Sequence, residues 1–519
     1  MLMLTLGKLD PYTNVHNSVV MSKNGGTPIY YEGWQQSDVV RIKALERLRH
    51  LTAADDHDPF FLMIAPTAPH VQPGASPPAP PSRYIDRLLG LSLPSRPNFN
   101  PPEEQHHDRP AWWAGLPRLN DTQLEEIDLL YRRRSEALLG VDDIISDVVE
   151  YLDEKGELDN TYIIFSSDQG YHLGTHRDVG KCSPYIEDSN TPLVIRGPDI
   201  PEGVTSPVRS TVVDFAPTFL EMTGLAEEHW PALFDGSSML PAWKDPHEPK
   251  FARGNEAINV EFWGRAYTEL PTWTGGDGAP RVYKNNTYKT MRIIGEDYAW
   301  MYSRWCTGDI ELYDSKNDPF ELENLAYSNE ARIRRVMSRL NALLMVMKSC
   351  EREVCRDPWS QLQPYSNGSQ RSENENQRSY QRAIDSFKDS LDPDFDAFFE
   401  GIPTVLIAEC YQYQFIPNER PYYPAGAENG LGLAHRKEPA FFEYPDVKPI
   451  ERVPYRVGGG WEQRHATHEM LVADARELTS RELGQDWEQT TCNEGQECVT
   501  DPRKLWALGP STKEAHTEL

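Results

Sequence analysis

The segment from Ser166 to His172 carries side chains that could bind a metal ion. It follows the apolar run 161–165 and places Asp168 and Gln169 side by side. Carboxylate and amide oxygens are hard ligands that suit Ca²⁺ or Mg²⁺. Ligands bind beyond the carboxyl ends of strands in α/β sheets, so the pair predicts a metal site there. A plain polar turn is the alternative, because Asp and Gly are common in turns.

Two further segments carry groups that could act on an anionic substrate. His70 follows the apolar run 60–65 and the segment Pro66 to Pro69, and an imidazole there could donate a proton to a leaving group. Lys181 stands beside Gly180 and could meet an anion as a point charge. The alternatives are a surface histidine and an ordinary solvated lysine.

The apolar spacing predicts the elements that position these side chains. Helices are expected over 37–48, 122–154 and 213–222. Gly140 would divide the second of these into two helices, and Gly156 would cap its end. Short and almost wholly apolar runs predict buried strands at 60–65, 161–165 and 193–195. Helices that alternate with such strands imply an α/β fold, with a mostly parallel sheet between helices.

The pattern changes in the second half of the chain. Alternating aromatic stretches at 288–294 and 298–302 predict a small antiparallel sheet, and a helix follows over 333–347. Residues 364–380 are rich in Ser, Asn, Gln and Arg and indicate a linker. The predicted domains are an α/β core over 1–245, a smaller subdomain over 250–355 and an acidic C-terminal extension over 356–519.

Composition excludes several classes of function. The 519 residues carry a net charge of −28, which disfavours nucleic acid and anionic membranes as partners. No run approaches the roughly 18 consecutive apolar residues of a membrane span. The apolar start, Met1 to Leu9, is too short for a signal peptide. A protein this acidic can bind an anionic group only where local positive charge outweighs the global field.

The cysteines favour an oxidising compartment. The sequence has seven, and the close pairs Cys350 with Cys355 and Cys492 with Cys498 predict small disulfide loops. Reduced surface thiols are the alternative. Three glycosylation sequons point the same way: Asn120, Asn285 and Asn367. We therefore expect a secretory or extracellular protein.

The residues of these motifs and their order along the chain resemble those of the sulfatase family. The resemblance is greatest to fungal arylsulfatases and lysosomal glucosamine-6-sulfatases, and it covers about two thirds of the chain. It is carried by these collinear segments: 10–12, 60–70, 161–198, 214–218, 305–307, 311–314, 317–319, 348–350 and Cys355. It implies an alkaline-phosphatase-like sulfatase core and the hydrolysis of a sulfate ester of a small molecule or a saccharide.

The resemblance also implies roles for individual residues. Asp168 and Gln169 match the later pair of calcium ligands, although many sulfatases have Asn at the second position. His70 and Lys181 match the histidine and lysine that contact the sulfate group and its bridging oxygen. Two more side chains are expected to line the pocket: His172 and Arg177.

The family's nucleophile motif does not occur in this sequence. Sulfatases use a formylglycine made from the cysteine of Cys-x-Pro-x-Arg, preceded by an acidic pair that completes the calcium site and followed by Lys-x-His. Segment 182–186 begins like the motif, but Ile186 stands where arginine is required. Since the resemblance starts only at Asp10, we expect that the sequence lacks the N-terminal part of the core, including half of the calcium site.

Three interpretations follow for the function. The first is a sulfuric ester hydrolase that uses calcium and formylglycine, whose coding sequence continues upstream with Cys-x-Pro-x-Arg. The second is a catalytically inactive sulfatase-like protein that binds a sulfated ligand or a partner. The third is a related phosphodiesterase or phosphatase. The pair Asp168 and Gln169 argues against the third, because those enzymes hold zinc through additional Asp and His ligands.

Overall fold

The computed structural model describes eleven ranges of the chain: 4–5, 16–24, 26–53, 58–72, 75–248, 256–270, 272, 282–364, 383–411, 416–423 and 465–477. The α-helices of these residues are α1 Gln36–Leu51, α2 Asp121–Glu154, α3 Ile186–Ser189, α4 Phe215–Met222, α5 Leu240–Lys244, α6 Ala331–Met347, α7 Glu353–Arg356, α8 Phe387–Ser390, α9 Asp396–Glu400 and α10 His468–Ala473. The three long helices that the apolar periodicity predicts in the core and the subdomain, α1, α2 and α6, are confirmed.

The strands form two four-stranded sheets and three short pairs. They are β1 Leu4–Thr5, β2 Ser18–Lys23, β3 Ile29–Glu32, β4 Ile163–Ser166, β5 His172–Leu173, β6 Val179–Gly180, β7 Leu193–Arg196, β8 Ala257–Phe262, β9 Ala266–Tyr267, β10 Val282–Tyr283, β11 Tyr288–Ile294, β12 Ala299–Trp305, β13 Ile310–Tyr313 and β14 Ala475–Glu477. One sheet has the order β1-β2-β3-β14 and the other β13-β12-β11-β8, while β4 pairs with β7, β5 with β6 and β9 with β10.

The predicted strands 161–165 and 193–195 are present as β4 and β7, but they pair antiparallel, with Ile164 opposite Ile195. Every strand pair of the described residues is antiparallel, so the predicted parallel pairing is not found among them. The strand predicted at 60–65 is wrong, since this run pairs with no described strand. Phe61 and Met63 are 69% and 76% exposed there, and the Phe61 ring lies 5.2 Å from that of Phe219 in α4.

Helix α2 is continuous, so the predicted division at Gly140 is wrong. The glycine serves packing instead, because a Cβ atom there would lie 2.8 Å from Pro81 Cγ and 3.1 Å from Ser37 Cβ. Asn120 caps the start of the helix by accepting from the backbone N–H of Gln123. Gly156 follows the end with φ +71°, as a C-terminal glycine cap requires.

A buried ion cluster joins the proline-rich segment that precedes α2 to helices α1 and α2. The guanidinium of Arg83 donates to Asp38 of α1 at 2.8 Å and to Asp143 of α2 at 3.0 Å. Arg83 and Asp38 are almost fully buried. Removing one member would leave an uncompensated buried charge, so the cluster fixes how the two helices pack.

The second core lies between the sheet β13-β12-β11-β8 and helix α6. Residues 331–347 bury most of their apolar side chains against the sheet. Phe387, Phe399 and Val405 join the same core. Part of the region predicted as a separate extension therefore packs into the smaller subdomain.

Two disulfides stabilise this half of the molecule. The predicted bond between Cys350 and Cys355 is confirmed. Cys306 also pairs with Cys410, which the sequence does not predict because the two are separated by 104 residues. Three of the sequence predictions fall outside the described residues, namely the pair Cys492 and Cys498, the sequon at Asn367 and nearly all of the linker 364–380.

The packing at Gly140 generates a stability prediction. Gly140→Ala gains helix propensity worth about 1 kcal/mol, but its Cβ meets Pro81 and Ser37 in a tightly packed contact. We expect a net loss of about 1–2 kcal/mol in the free energy of unfolding, measured by urea denaturation. Gly115→Ala is the control, because no atom lies within 4 Å of a Cβ there. Equal stability of both variants would show that α1 and α2 do not meet tightly.

Candidate active site

The loop that carries His70 is held from three directions. The amide of Gln36 in α1 accepts from the backbone N–H of Thr67 at 3.0 Å. Arg134 of α2 donates to the carbonyl oxygen of Pro69 at 2.9 Å. His16 Nε2 donates to the carbonyl oxygen of His70 itself, also at 2.9 Å. The position of His70 is therefore set by the packing of α1, α2 and the segment before β2.

Lys181 and His70, 111 residues apart in the sequence, are in direct contact. Lys181 Nζ lies 2.7 Å from His70 Nε2, and His70 Nδ1 lies 2.7 Å from the carbonyl oxygen of Val71. Since a carbonyl oxygen only accepts, Nδ1 carries the proton and Nε2 accepts from the ammonium. Glu269 lies 3.8 Å from Lys181, whose side chain keeps 17% of its surface exposed. The ammonium is thus oriented and still reachable from solvent.

The segment after Lys181 is fixed by hydrogen bonds to backbone groups. The Ser183 N–H donates to the Asp188 carboxylate at 2.7 Å. Asn286 donates to the carbonyl oxygen of Cys182 at 2.7 Å, and Arg292 donates to that of Pro184 at the same distance. Each of these partners is buried. The lysine is therefore presented by a rigid segment.

His172 and Arg177 lie inside the protein instead of lining a pocket. Their exposed fractions are 0% and 1%. The ring of His172 bonds to Thr175 Oγ1 at 2.7 Å and to Ser183 Oγ at 2.9 Å. Arg177 donates to the backbone carbonyl oxygens of Pro101 and Leu116. The sequence places both near the site, but burial gives them a supporting role.

Asp168 and Gln169 line a cleft of about 1290 Å³ that also contains Cys182 and Ser183. Asp168 is exposed, and its closest polar contact is the Ser167 hydroxyl at 3.4 Å. The turn after it requires Gly170, since a Cβ there would lie 1.7 Å from the carbonyl oxygen of Glu187. His70 and Lys181 are not among the residues that line this cleft.

The described residues do not complete a calcium site. Calcium takes about six to eight oxygen ligands, and Asp168 with Gln169 supplies at most three side-chain oxygens. Within the ranges that the structure covers, no group of three or more His, Cys, Asp or Glu side chains could hold a metal ion. The pair is chemically suited to calcium and is accessible, but it needs additional ligands.

Burial shifts the titration of several groups around the lysine segment. Desolvation raises the pKa of the Asp178 carboxyl to about 7 and that of the Cys182 thiol to about 12. It lowers the pKa of His16 to about 4, although the hydrogen bond to His70 works in the opposite direction. His16 therefore stays neutral at physiological pH and can keep its Nε2 proton on the His70 carbonyl oxygen.

Comparison with known proteins identifies the family. The sulfatase family signature matches residues 8–225. An arylsulfatase of Volvox carteri is 35% identical over 79% of this chain and 63% of its own length. The sulfatase ppz1 of Metarhizium majus is 31% identical over 78% of this chain and 83% of its own length. The chain belongs to the sulfatase family.

A solved structure agrees with the fold of this chain. A protein determined in complex with its substrate D-glucosamine-2-N,6-O-disulfate aligns with 65% of this chain and 74% of its own, at a TM-score of 0.50 and 21% identity. The alkaline-phosphatase-like fold class predicted from the sequence is thus confirmed, while the parallel strand pairing predicted with it is not found among the described residues. The chain spans about 63% of the Volvox relative's length. Among the described helices, none is long and apolar enough to cross a membrane.

Several residues that build the site were not predicted from the sequence. Glu269 and Asn286 come from the second half of the chain, and His16 precedes β2. Each stands alone, with no neighbouring motif that would mark it. Their roles depend on contacts between distant segments, and such contacts leave no local signal in a single sequence.

The burial of His16 generates a prediction about pH. Its pKa is about 4 in the folded protein and 6.5 in the unfolded chain, so the unfolded state binds more protons between these values. The stability is complete above pH 6.5 and falls as the pH drops toward 4. When the pH is lowered from 7 to 4.5, the free energy of unfolding should fall in both proteins. We expect the decrease to be about 2–3 kcal/mol smaller in His16→Gln than in the wild type.

Urea denaturation at the two pH values measures this difference. His107→Gln serves as the control, because the His107 side chain is 58% exposed. A wild type and a His16→Gln variant with the same loss of stability on acidification would contradict the assigned burial of His16.

Proposed function

We propose that the protein is a sulfuric ester hydrolase, which binds the sulfate group of its substrate at Lys181 and His70. One observation carries the proposal: the 2.7 Å contact between the ammonium and the imidazole of two residues from separate segments. A lysine that meets an anion as a point charge, held in place by a histidine beside it, suits the cleavage of a sulfate ester.

The proposed chemistry breaks the bond between sulfur and the bridging oxygen of the ester, and water supplies the other oxygen. The departing oxygen gains negative charge as the bond breaks. The Lys181 ammonium would stabilise that charge and donate a proton to the leaving alcohol or phenol, while His70 Nε2 accepts a second ammonium hydrogen and holds the group in place. The Glu269 carboxylate lies 3.8 Å from the Lys181 ammonium and helps to orient it.

The attacking group lies outside what this sequence supplies. The family uses a formylglycine made from the cysteine of Cys-x-Pro-x-Arg, and none of the seven cysteines stands in that motif. We therefore derive no nucleophilic step from these residues. Hydrolysis must therefore be measured in a protein that contains this motif. A transcript whose 5′ region encodes no Cys-x-Pro-x-Arg, with a product inactive on nitrophenyl sulfate, would favour the inactive sulfate-binding alternative.

Calcium is the metal that we propose for Asp168 and Gln169. The support is the chemistry of the donors, a carboxylate and an amide oxygen that both line the cleft. When bound, calcium would neutralise the sulfate oxygens. Since Asp168 and Gln169 supply only part of the required oxygen shell, no step is assigned to the metal.

The organic part of the substrate is proposed to be an aryl group or a sugar. The Volvox relative is an arylsulfatase, which supports the first. The resemblance to glucosamine-6-sulfatases supports the second. Comparing p-nitrophenyl sulfate with glucosamine 6-sulfate as substrates distinguishes them.

We also propose that the protein passes through the secretory pathway. Two disulfides, Cys306–Cys410 and Cys350–Cys355, suit an oxidising compartment. The sequons at Asn120 and Asn285 have exposed asparagines that a glycan could reach. Detection of glycans on these two residues in the purified protein would support this route, and an unmodified, reduced protein would refute it.

Replacing Lys181 tests the proposed sulfate site. We expect Lys181→Ala to weaken the binding of inorganic sulfate about 10- to 100-fold, because a charge-assisted hydrogen bond contributes about 1.5–3 kcal/mol. In a protein that contains the formylglycine it should reduce turnover of p-nitrophenyl sulfate. Isothermal titration calorimetry measures the affinity for inorganic sulfate. Repeating the titration with and without CaCl₂, in the wild type and in Asp168→Ala, measures how much calcium contributes to that affinity.

Lys155→Ala is the matched control, since it removes the same charge from an exposed position at the end of α2. Sulfate affinity that falls equally in the two variants would reflect only the change in net charge. It would remove the role assigned to Lys181.

A further inference from the structure

Asn286 lies in the loop before β11, far from Lys181 in the sequence, but its side chain is fully buried against the lysine segment. Its Nδ2 donates to the carbonyl oxygen of Cys182 at 2.7 Å, and its Oδ1 accepts from the indole N–H of Trp112 at 2.8 Å. An indole N–H can only donate and a carbonyl oxygen can only accept. The two partners therefore allow one orientation of the amide.

The residue that Asn286 holds has an unusual backbone. Cys182 follows Lys181 directly and has φ +83°, in a region that residues other than glycine rarely adopt. Such a conformation persists only when the surrounding structure enforces it. The hydrogen bond from Asn286 acts on the carbonyl group of this same residue. It is therefore placed to maintain the turn that directs Lys181.

Other groups from the second half of the chain flank the lysine on both sides. Before it, the N–H of Glu269 donates to the carbonyl oxygen of Val179 at 2.7 Å. After it, Arg292 donates to the carbonyl oxygen of Pro184 and forms an ion pair with Glu321 at 2.8 Å. The smaller subdomain thus holds the segment 179–184 at several backbone positions. Asn286 and Arg292 both donate to carbonyl oxygens that follow Lys181 in the sequence. The carbonyl group bound by Asn286, that of Cys182, is the nearer of the two to Lys181.

We propose that Asn286 is a positioning residue, which fixes the carbonyl group of Cys182 and so holds the Lys181 ammonium against His70 for contact with a sulfate group. The sulfate as ligand rests on the proposed function, whereas the positioning of the segment does not. Sulfate binding at Lys181 then depends on the smaller subdomain, although no residue of that subdomain needs to contact the sulfate.

The Cys182 thiol reports directly on this segment. Burial raises its pKa to about 12, so little of the reactive thiolate exists in the folded protein and labelling is slow. In Asn286→Ala we expect maleimide labelling of Cys182 to become at least about tenfold faster, because loss of the hydrogen bond lets the segment open locally. Peptide-resolved mass spectrometry separates Cys182 from Cys492 and Cys498. All variants here keep the sequon at Asn285, whose middle residue is unrestricted except for proline.

Three further variants make the labelling experiment decisive. Asn286→Asp keeps an acceptor for Trp112 but places an oxygen against the Cys182 carbonyl, so it should accelerate labelling as well. Trp112→Phe removes only the orienting donor and should give a smaller acceleration. Asn341→Ala removes a buried asparagine that bonds to Pro403 and Val405 in the second core, and it should leave Cys182 unchanged. Labelling of Cys182 within about twofold of the wild type in folded Asn286→Ala and Asn286→Asp, or equal acceleration in Asn341→Ala, would overturn the proposal.

A second readout separates this proposal from the sulfate site itself. Inorganic sulfate should protect Lys181 from acetylation in the wild type, and the protecting concentration should rise at least about tenfold in Asn286→Ala but not in Asn341→Ala. An equal protecting concentration in wild type and Asn286→Ala would also overturn it. Failure of sulfate to protect wild-type Lys181 would refute the proposed function, while the labelling of Cys182 would still decide whether Asn286 positions the segment.

Discussion

A chain with a net charge of −28 can bind a sulfate ester only where positive charge is concentrated and held in place. The contact between Lys181 and His70 meets that constraint, since it joins an ammonium to an imidazole at 2.7 Å. A flexible lysine would lose much of this benefit, because ordering its side chain costs conformational entropy at each binding event. The rest of the site can be understood as the structure that orders these two side chains before a ligand arrives.

The ordering comes from buried polar contacts made by distant parts of the chain. The His70 loop is held by Gln36 of α1, by Arg134 of α2 and by His16. The smaller subdomain holds the lysine segment through Asn286 and Arg292. Each contact is made to a backbone group, which fixes the course of the chain. The two halves of the molecule therefore meet at the site, and the packing between them supports function as well as stability.

The sequence predicts the local elements because their causes are local. The apolar periodicity of α2 and α6 and the short apolar runs of β4 and β7 follow from which side chains need burial. Prediction from the sequence fails where the cause of a structure is a contact with a distant segment. Gly140 looks like a helix break by propensity alone, but Pro81 and Ser37 explain it. The apolar run at 60–65 predicts a strand, but a strand also needs a neighbour, and none of the described strands pairs with it.

The candidate site shows the same division. His70 and Lys181 are recognisable because each stands in a motif that resembles the family, whereas their mutual contact and their support by Glu269 and Asn286 become visible only in three dimensions. His172 and Arg177 belong to the same motifs, but burial assigns them to the framework. Motif membership thus indicates that a residue lies near the site, and burial decides whether it can reach a ligand.

The most direct measurement is a crystal structure of the protein soaked in tungstate, an anomalously scattering analogue of sulfate. The account predicts a tungstate ion within hydrogen-bond distance, about 3 Å, of Lys181 Nζ, beside the contact between Lys181 and His70, and its absence in Lys181→Ala crystals. An ion bound in the cleft at Asp168 and Gln169 but not at Lys181, or the same ion in the variant, would contradict it.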